Sequence, residues 1–179
     1  ILHGQWDGGA RDPVNADNPV PREGHSLIAA KGRDNFTLFG GRDTSGTLAL
    51  QDVSLLYKGH TSGETEYFPN WVKLSPSGQL PARRWHHAAA ADTGENIVVF
   101  GGSNAAGDTT FGELYVLRMK YENNQYTYTW HQVASADQDT SQGWPGLRTG
   151  HTMTFDPHAK RILVYGGGRA LSASPTDTS

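Results

Sequence analysis

The residues best suited to chemistry come in threes. An arginine stands three residues before a histidine at Arg22 and His25, at Arg83 and His86, and at Arg148 and His151. Each histidine stands fourteen residues before an aromatic residue followed by paired glycines: Phe39-Gly40-Gly41, Phe100-Gly101-Gly102 and Tyr165-Gly166-Gly167. Three imidazoles, one per copy, have the donor type to ligate a metal ion if their strands converge. Three guanidiniums could make a basic ring, or could use their five donors to tie backbone carbonyls of the preceding loop. Each residue holds the same place in its copy, so the first expectation is structural work repeated with the fold. On that ground no metal and no cofactor is assigned. The adjacent pair His86-His87 makes no better ligand set, because neighbours on a strand face opposite ways.

Other chemistries have less support. The 179 residues contain no cysteine, so disulfides, thiolate-bound zinc and thiol nucleophiles are excluded within them. There is no G-x-S-x-G, HExxH or phosphate-loop pattern. With 15 basic and 18 acidic side chains neither sign dominates, which argues against nucleic acid or an anionic membrane as partner. The sequon Asn35-Phe36-Thr37 stands alone and carries little weight.

The elements that position these residues are short strands. Apolar runs at Phe36-Thr37-Leu38, Ile97-Val98-Val99 and Ile162-Leu163-Val164 lead into the glycine pairs. Consecutive apolar residues suit a strand buried on both faces. Paired glycines permit positive φ and close approach where the chain leaves it. The spacing predicts strands over 25–30, 36–39, 51–56 and 67–74, and over 86–91, 97–100, 113–119 and 126–133. Alanines at 88–91 suit innermost strands near an axis, and Trp71 and Trp130 on the fourth strands are expected to cover the flank facing the next unit. No helical periodicity is present, and turn signals recur about every ten residues. The chain divides into a remnant with a loop (1–20), a unit at 21–80, a second at 81–143, the first half of a third at 144–168, and a polar tail at 169–179. Between Gln5 and Arg22 the spacing is too short for two strands at ~5–6 residues each, so residues are expected to be missing between Trp6 and Pro19.

Pro21-Arg22-x-x-His25, the Phe39-Gly40-Gly41 triplet, a position thirteen residues after the second glycine (Ser54, Tyr115) and a later tryptophan together resemble the kelch repeat. The resemblance implies an all-β fold: part of a kelch-type β-propeller of four-stranded antiparallel blades, about two and a half repeats of which are seen here. It also implies a protein-interaction module within a larger adaptor or scaffold, such as a ubiquitin-ligase substrate receptor, with a cytoplasmic location and further blades from the same or another chain. In this reading Arg22, His25, Gly40, Gly41, Arg83, His86, Gly101, Gly102, Arg148, His151, Gly166 and Gly167 maintain the repeat. The partner, a protein or peptide, would meet the loops after the glycine pairs (Arg42, Asp43, Ser103, Asn104, Arg169) and the residues before the histidines (Gly24, Trp85, Gly150). Trp85 stands out as an aromatic where the other copies have glycine. The alternative is a propeller that carries an active site. Copper-radical oxidases share the architecture but need a Cys-Tyr pair, and the spaced Glu, Asp and His of plant specifier proteins are not found here.

Overall fold

The computed structural model describes residues 17–29, 35–59, 68–134 and 140–169. The interruption expected after Trp6, and nearly all of the polar tail, fall outside the described residues. The first blade contains β1 (Ser26–Ala29), β2 (Asn35–Phe39), β3 (Val53–Gly59) and β4 (Phe68–Leu74), antiparallel and hydrogen-bonded in that order. The second repeats it with β5 (Ala88–Ala91), β6 (Ile97–Phe100), β7 (Leu114–Glu122) and β8 (Gln125–Ala134). The third unit is a hairpin of β9 (Thr149–Asp156) and β10 (Arg161–Gly168). The fold is all-β, a partial propeller of antiparallel blades.

The link between blades adds a feature that the spacing did not suggest. Ser77–Gly78 pairs in parallel with β8 at Thr129 and Trp130, as a fifth strand on the outer edge of the second blade. It covers backbone groups that an edge strand otherwise leaves open.

Burial follows position in the ring. β6 lies between two sheets, and all four of its side chains are buried. Phe39 and Phe100, at the ends of β2 and β6, are 0% and 1% exposed, whereas Tyr165 at the same place in β10 is 84% exposed. Phe39 packs against His87 of the next blade and Phe100 against His151 of the next, at 5.0 and 5.3 Å between ring centroids. No sheet follows β10 among the described residues, and Tyr165 has no such counterpart there. The small and apolar residues of β1, β5 and β9, among them Ile28, Ala89, Ala90, Ala91, Met153 and Phe155, line a groove of about 480 Å³ where the inner strands converge. Trp130 is buried, but its ring lies 5.1 Å from Phe39, so it faces the preceding blade rather than the following one. Leu117 pairs directly opposite Trp130 and joins it in the same cluster, which places that face of β7 and β8 against the first blade.

The pairing also corrects the repeat register. Ser26 pairs with Phe39, Ala88 with Phe100 and Thr152 with Tyr165, so His25, His87 and His151 are equivalent. Three residues earlier, the equivalent arginines are Arg22, Arg84 and Arg148. Arg83 and His86 therefore do not hold the repeat positions expected of them. The β5–β6 turn is the physical cause. Five residues separate the pair Ala91 and Ile97, against six between Ala29 and Phe36 and six between Phe155 and Ile162. Because Arg83-Arg84 and His86-His87 are doublets, the ungapped and the slipped alignments both read Arg-x-x-His.

Gly101 has φ +64, and a Cβ there would run into the Arg148 carbonyl and approach His151 Cε1 at 2.7 Å. Gly107 has φ +77 with open space around it. Gly101→Val should cost more than ~2 kcal/mol, and Gly107→Ala about 1 kcal/mol of backbone strain alone. Denaturant midpoints check this, and equal costs would show that close approach is not what the glycine provides.

Candidate interaction face

Each repeated arginine ties its own blade together. Arg22 donates from Nη1 to the Gly40 carbonyl at 3.0 Å and from Nε to the Val20 carbonyl at 3.1 Å, and grips both oxygens of Asp52 at 2.6 and 2.8 Å. Arg84 donates to the carbonyls of Gly101 at 2.9 Å and Ala82 at 3.0 Å. Arg148 donates to the carbonyls of Gly166 at 2.9 Å and Pro145 at 2.7 Å. Arg84 is fully buried between Phe111 and Tyr115, 4.4 and 5.3 Å from their ring centroids, and 3.6 Å from a Glu113 oxygen. Burial lowers its pKa and Glu113 opposes that shift, which is how a buried cation is retained. Asp52 and Glu113 stand in equivalent places, and the sequence reading did not single out either one.

The backbone around these arginines joins blade to blade. Arg84 N–H donates to the Leu50 carbonyl at 3.0 Å, and its carbonyl accepts from Gly41 N–H at 2.9 Å. One blade on, Arg148 N–H donates to the Phe111 carbonyl at 3.1 Å, and its carbonyl accepts from Gly102 N–H at 2.9 Å. A second ladder runs through the next turn: His86 N–H donates to the Gly24 carbonyl, and Gly150 N–H to the His86 carbonyl, each at 2.9 Å. These three residues share positive φ, at +60 for Gly24, +50 for His86 and +68 for Gly150. The place where the other copies have glycine is therefore occupied by His86. Trp85 corresponds to Glu23 and Thr149.

The histidines of the repeat sit at the blade boundaries. His87 is 6% exposed, and its Nε2 lies 2.9 Å from the Ser26 hydroxyl of the first blade. Burial and then the charge of Arg84 push its pKa down to about 3. His151 is as buried, and burial and Arg148 bring it to about 4. Among the described residues its ring nitrogens find no side-chain partner, since Ala88 stands where Ser26 supplies a hydroxyl, and the Phe100 backbone only partly offsets the lowering. His25 is lowered less, by partial burial and by Arg22. Among the described residues no group of three or more His, Cys, Asp or Glu is placed to hold a metal ion.

At the end of the blades where these ladders run, the structure gathers Arg42, Asp43, Trp85, Ser103 and Asn104. Arg42 donates from Nε and Nη2 to Glu23 Oε1 at 3.1 and 2.5 Å, and places its guanidinium carbon 3.6 Å from the centre of the Trp85 ring. The His86 ring stacks on Trp85 at 3.8 Å with a tilt of 27°. Two groups so close cannot share one face of the indole, so Trp85 is held between Arg42 and His86. Its Nε1 donates to the Asn104 carbonyl at 2.7 Å. Asp43 and Asn104 head equivalent turns, accepting side-chain bonds from Leu48 N–H at 3.2 Å and Gly107 N–H at 3.0 Å respectively. The Ser45 hydroxyl, then the Leu48 amide, hold Asp43 below the usual carboxylate range. Ser103 is buried and bridges Trp85 and Thr110 through its backbone. Arg169 is exposed beyond β10 and is not part of this cluster among the described residues. His86 was missed as a face residue. The signal that could have found it is the shorter β5–β6 turn.

Comparison with known proteins bears on the whole arrangement. A family model described as the KLHDC2/KLHL20/DRC7 kelch-repeats domain matches residues 5–142. The chain is 30% identical over 162 residues to human multiple epidermal growth factor-like domains protein 8, covering 87% of this chain and 5% of that protein. It is 30% identical over 131 residues to the Rho GTPase-activating protein gacHH of Dictyostelium discoideum, covering 71% of this chain and 8% of that one. The alpha chain of the flagellar outer-arm dynein of Chlamydomonas reinhardtii is 28% identical over 156 residues, 86% of this chain and 3% of its own length. The chain thus spans less than a tenth of these relatives.

His87 and His151 are held neutral, with folded pKa values of about 3 and about 4 against an ordinary 6.5. Protonation therefore favours the unfolded chain. Stability should be complete above pH 6.5 and fall as the pH drops toward 4, by roughly 1.4 kcal/mol per pH unit for each histidine. Denaturant titrations at stepped pH check this, and a profile flat from pH 7 to pH 4 would contradict it.

Proposed function

Because this chain belongs to the kelch-repeat family, a family of β-propeller interaction modules, we propose that it recognises a partner protein through the loop face built around Arg42 and Trp85, as part of a larger adaptor or scaffold. One observation carries the reading. The backbone ladders fix the framework of the face with the same bonds at both blade boundaries, while the side chains displayed on it differ from copy to copy. Glu23, Trp85 and Thr149 hold one equivalent place, and Arg42, Ser103 and Gly168 another. A repeat keeps what its fold requires and is free to vary what it presents. An indole braced by arginine, beside a mixed-charge rim, is the kind of anchor that carries binding energy at protein interfaces. A substrate-receptor role in a ubiquitin ligase, and a cytoplasmic location, go with this reading.

Trp85→Ala combined with Arg42→Glu should abolish capture of the cellular proteins retained by the unaltered chain, while shifting the thermal transition by only a few degrees. Tyr121→Ala, on the exposed β7–β8 hairpin, serves as a surface control and should retain the same proteins. Capture that survives the double change would place recognition elsewhere.

A further inference from the structure

The lead-in to β5 departs from its two copies at every position that the fold leaves free. Arg83 stands where the others have Pro21 and Leu147, Trp85 where they have Glu23 and Thr149, and His86 where they have Gly24 and Gly150. Within 83–87 only Arg84 and His87 are kept in common, and both are buried.

His86 is the informative member. It holds φ +50 without being glycine, a conformation that costs of order 1 kcal/mol. The backbone bonds it makes are made equally by glycine at this place, since both neighbours in the ladder are Gly24 and Gly150. Its side chain is exposed, stacks on Trp85 and lies over Gly24. Strain kept at an exposed position, with no return to the backbone, points to use of the side chain.

The charges around it indicate what it meets. Glu23 Oε1 is already paired with Arg42. Asp43 and Asp108 are fixed within their own turns by Ser45 and by Asn104 and Thr109. Arg83 is exposed and, like the imidazole of His86, has no carboxylate partner among the described residues. Arg83 and His86 thus stand three residues apart, flanking Trp85 in the chain.

We propose that Arg83 and His86 are specificity-determining residues of the loop face, and that they take a carboxylate-rich segment of the partner laid beside the Arg42–Trp85–His86 stack. The proposal rests on the interaction-face reading and names the chemistry of its ligand. The arginine supplies a forked donor pair for carboxylate, and the imidazole a further donor.

The test measures binding of a labelled peptide of alternating Glu and Ser to the full polypeptide at low salt, with a Gln-Ser peptide of equal length as the comparison. The Glu peptide should bind at least about tenfold more tightly than its isostere. His86→Gly and Arg83→Gln should each reduce that preference severalfold, and His86→Gly should leave the thermal transition unchanged or raise it. Equal binding of the two peptides would overturn the carboxylate assignment, while the face itself is judged by the Trp85 and Arg42 capture experiment. A preference that persists in both variants would overturn the role of these two residues. A marked loss of thermal stability in His86→Gly would show instead that the stack on Trp85 is structural.

Discussion

The peptide unit of Arg84 is held from both sides. Its N–H and carbonyl belong to the first blade, through Leu50 and Gly41, while its guanidinium belongs to the second, through the Gly101 carbonyl. One residue therefore sets the separation and the tilt of two sheets at once. The requirement for glycine follows from it. Gly41 and Gly102 must bring their N–H groups onto the arginine carbonyl of the next blade, at φ +99 and +95, in a space where a Cβ would meet backbone or the repeat histidine at 2.8–3.3 Å. The buried charge is tolerated because it lies between two aromatic rings with a carboxylate nearby, and because its carbonyl partners are fixed by the sheet.

This boundary also explains why the histidines stay neutral. An imidazole packed edge-on against Phe39 or Phe100, beside a repeat arginine, has no room for a second positive charge. The residues that most resembled metal ligands are spaced by the blades they join, and they work as neutral packing groups. The loop face depends on the same boundary. Arg42 comes from the first blade and Trp85 with His86 from the second, so their stack exists only while the blades are in register.

Much of this was legible in the sequence. The glycine pairs and the apolar runs before them placed the strands, because each pattern reports a local constraint on burial or backbone angle. Arg22 and Arg148 were expected to tie carbonyls of the preceding loop, and they do so at Val20 and Pro145, whereas in the second blade Arg84 rather than the expected Arg83 makes the bond to Ala82. Arg84 and His87 were hidden by doublets that let an alignment slip by one residue without a visible mismatch. The fifth strand at Ser77–Gly78 and the direction of Trp130 were hidden because both are set by contacts between sheets, which leave no period along the chain. Arg42, Asp43, Trp85 and Asn104 were grouped by their place after or before a repeat motif, and the structure brings them together. The turn-making work of Asp43 and Asn104 was not foreseen.

Native-state hydrogen exchange of the boundary amides bears most directly on this account. If the clasp around Arg84 and Arg148 joins the blades into one cooperative unit, the amides of Gly41, Arg84, Gly102 and Arg148 should exchange together with those of β2 and β6, through global unfolding alone. Exchange of these four amides at a much lower free energy, with β2 and β6 still protected, would mean that the blades part independently and that the clasp does not govern the fold.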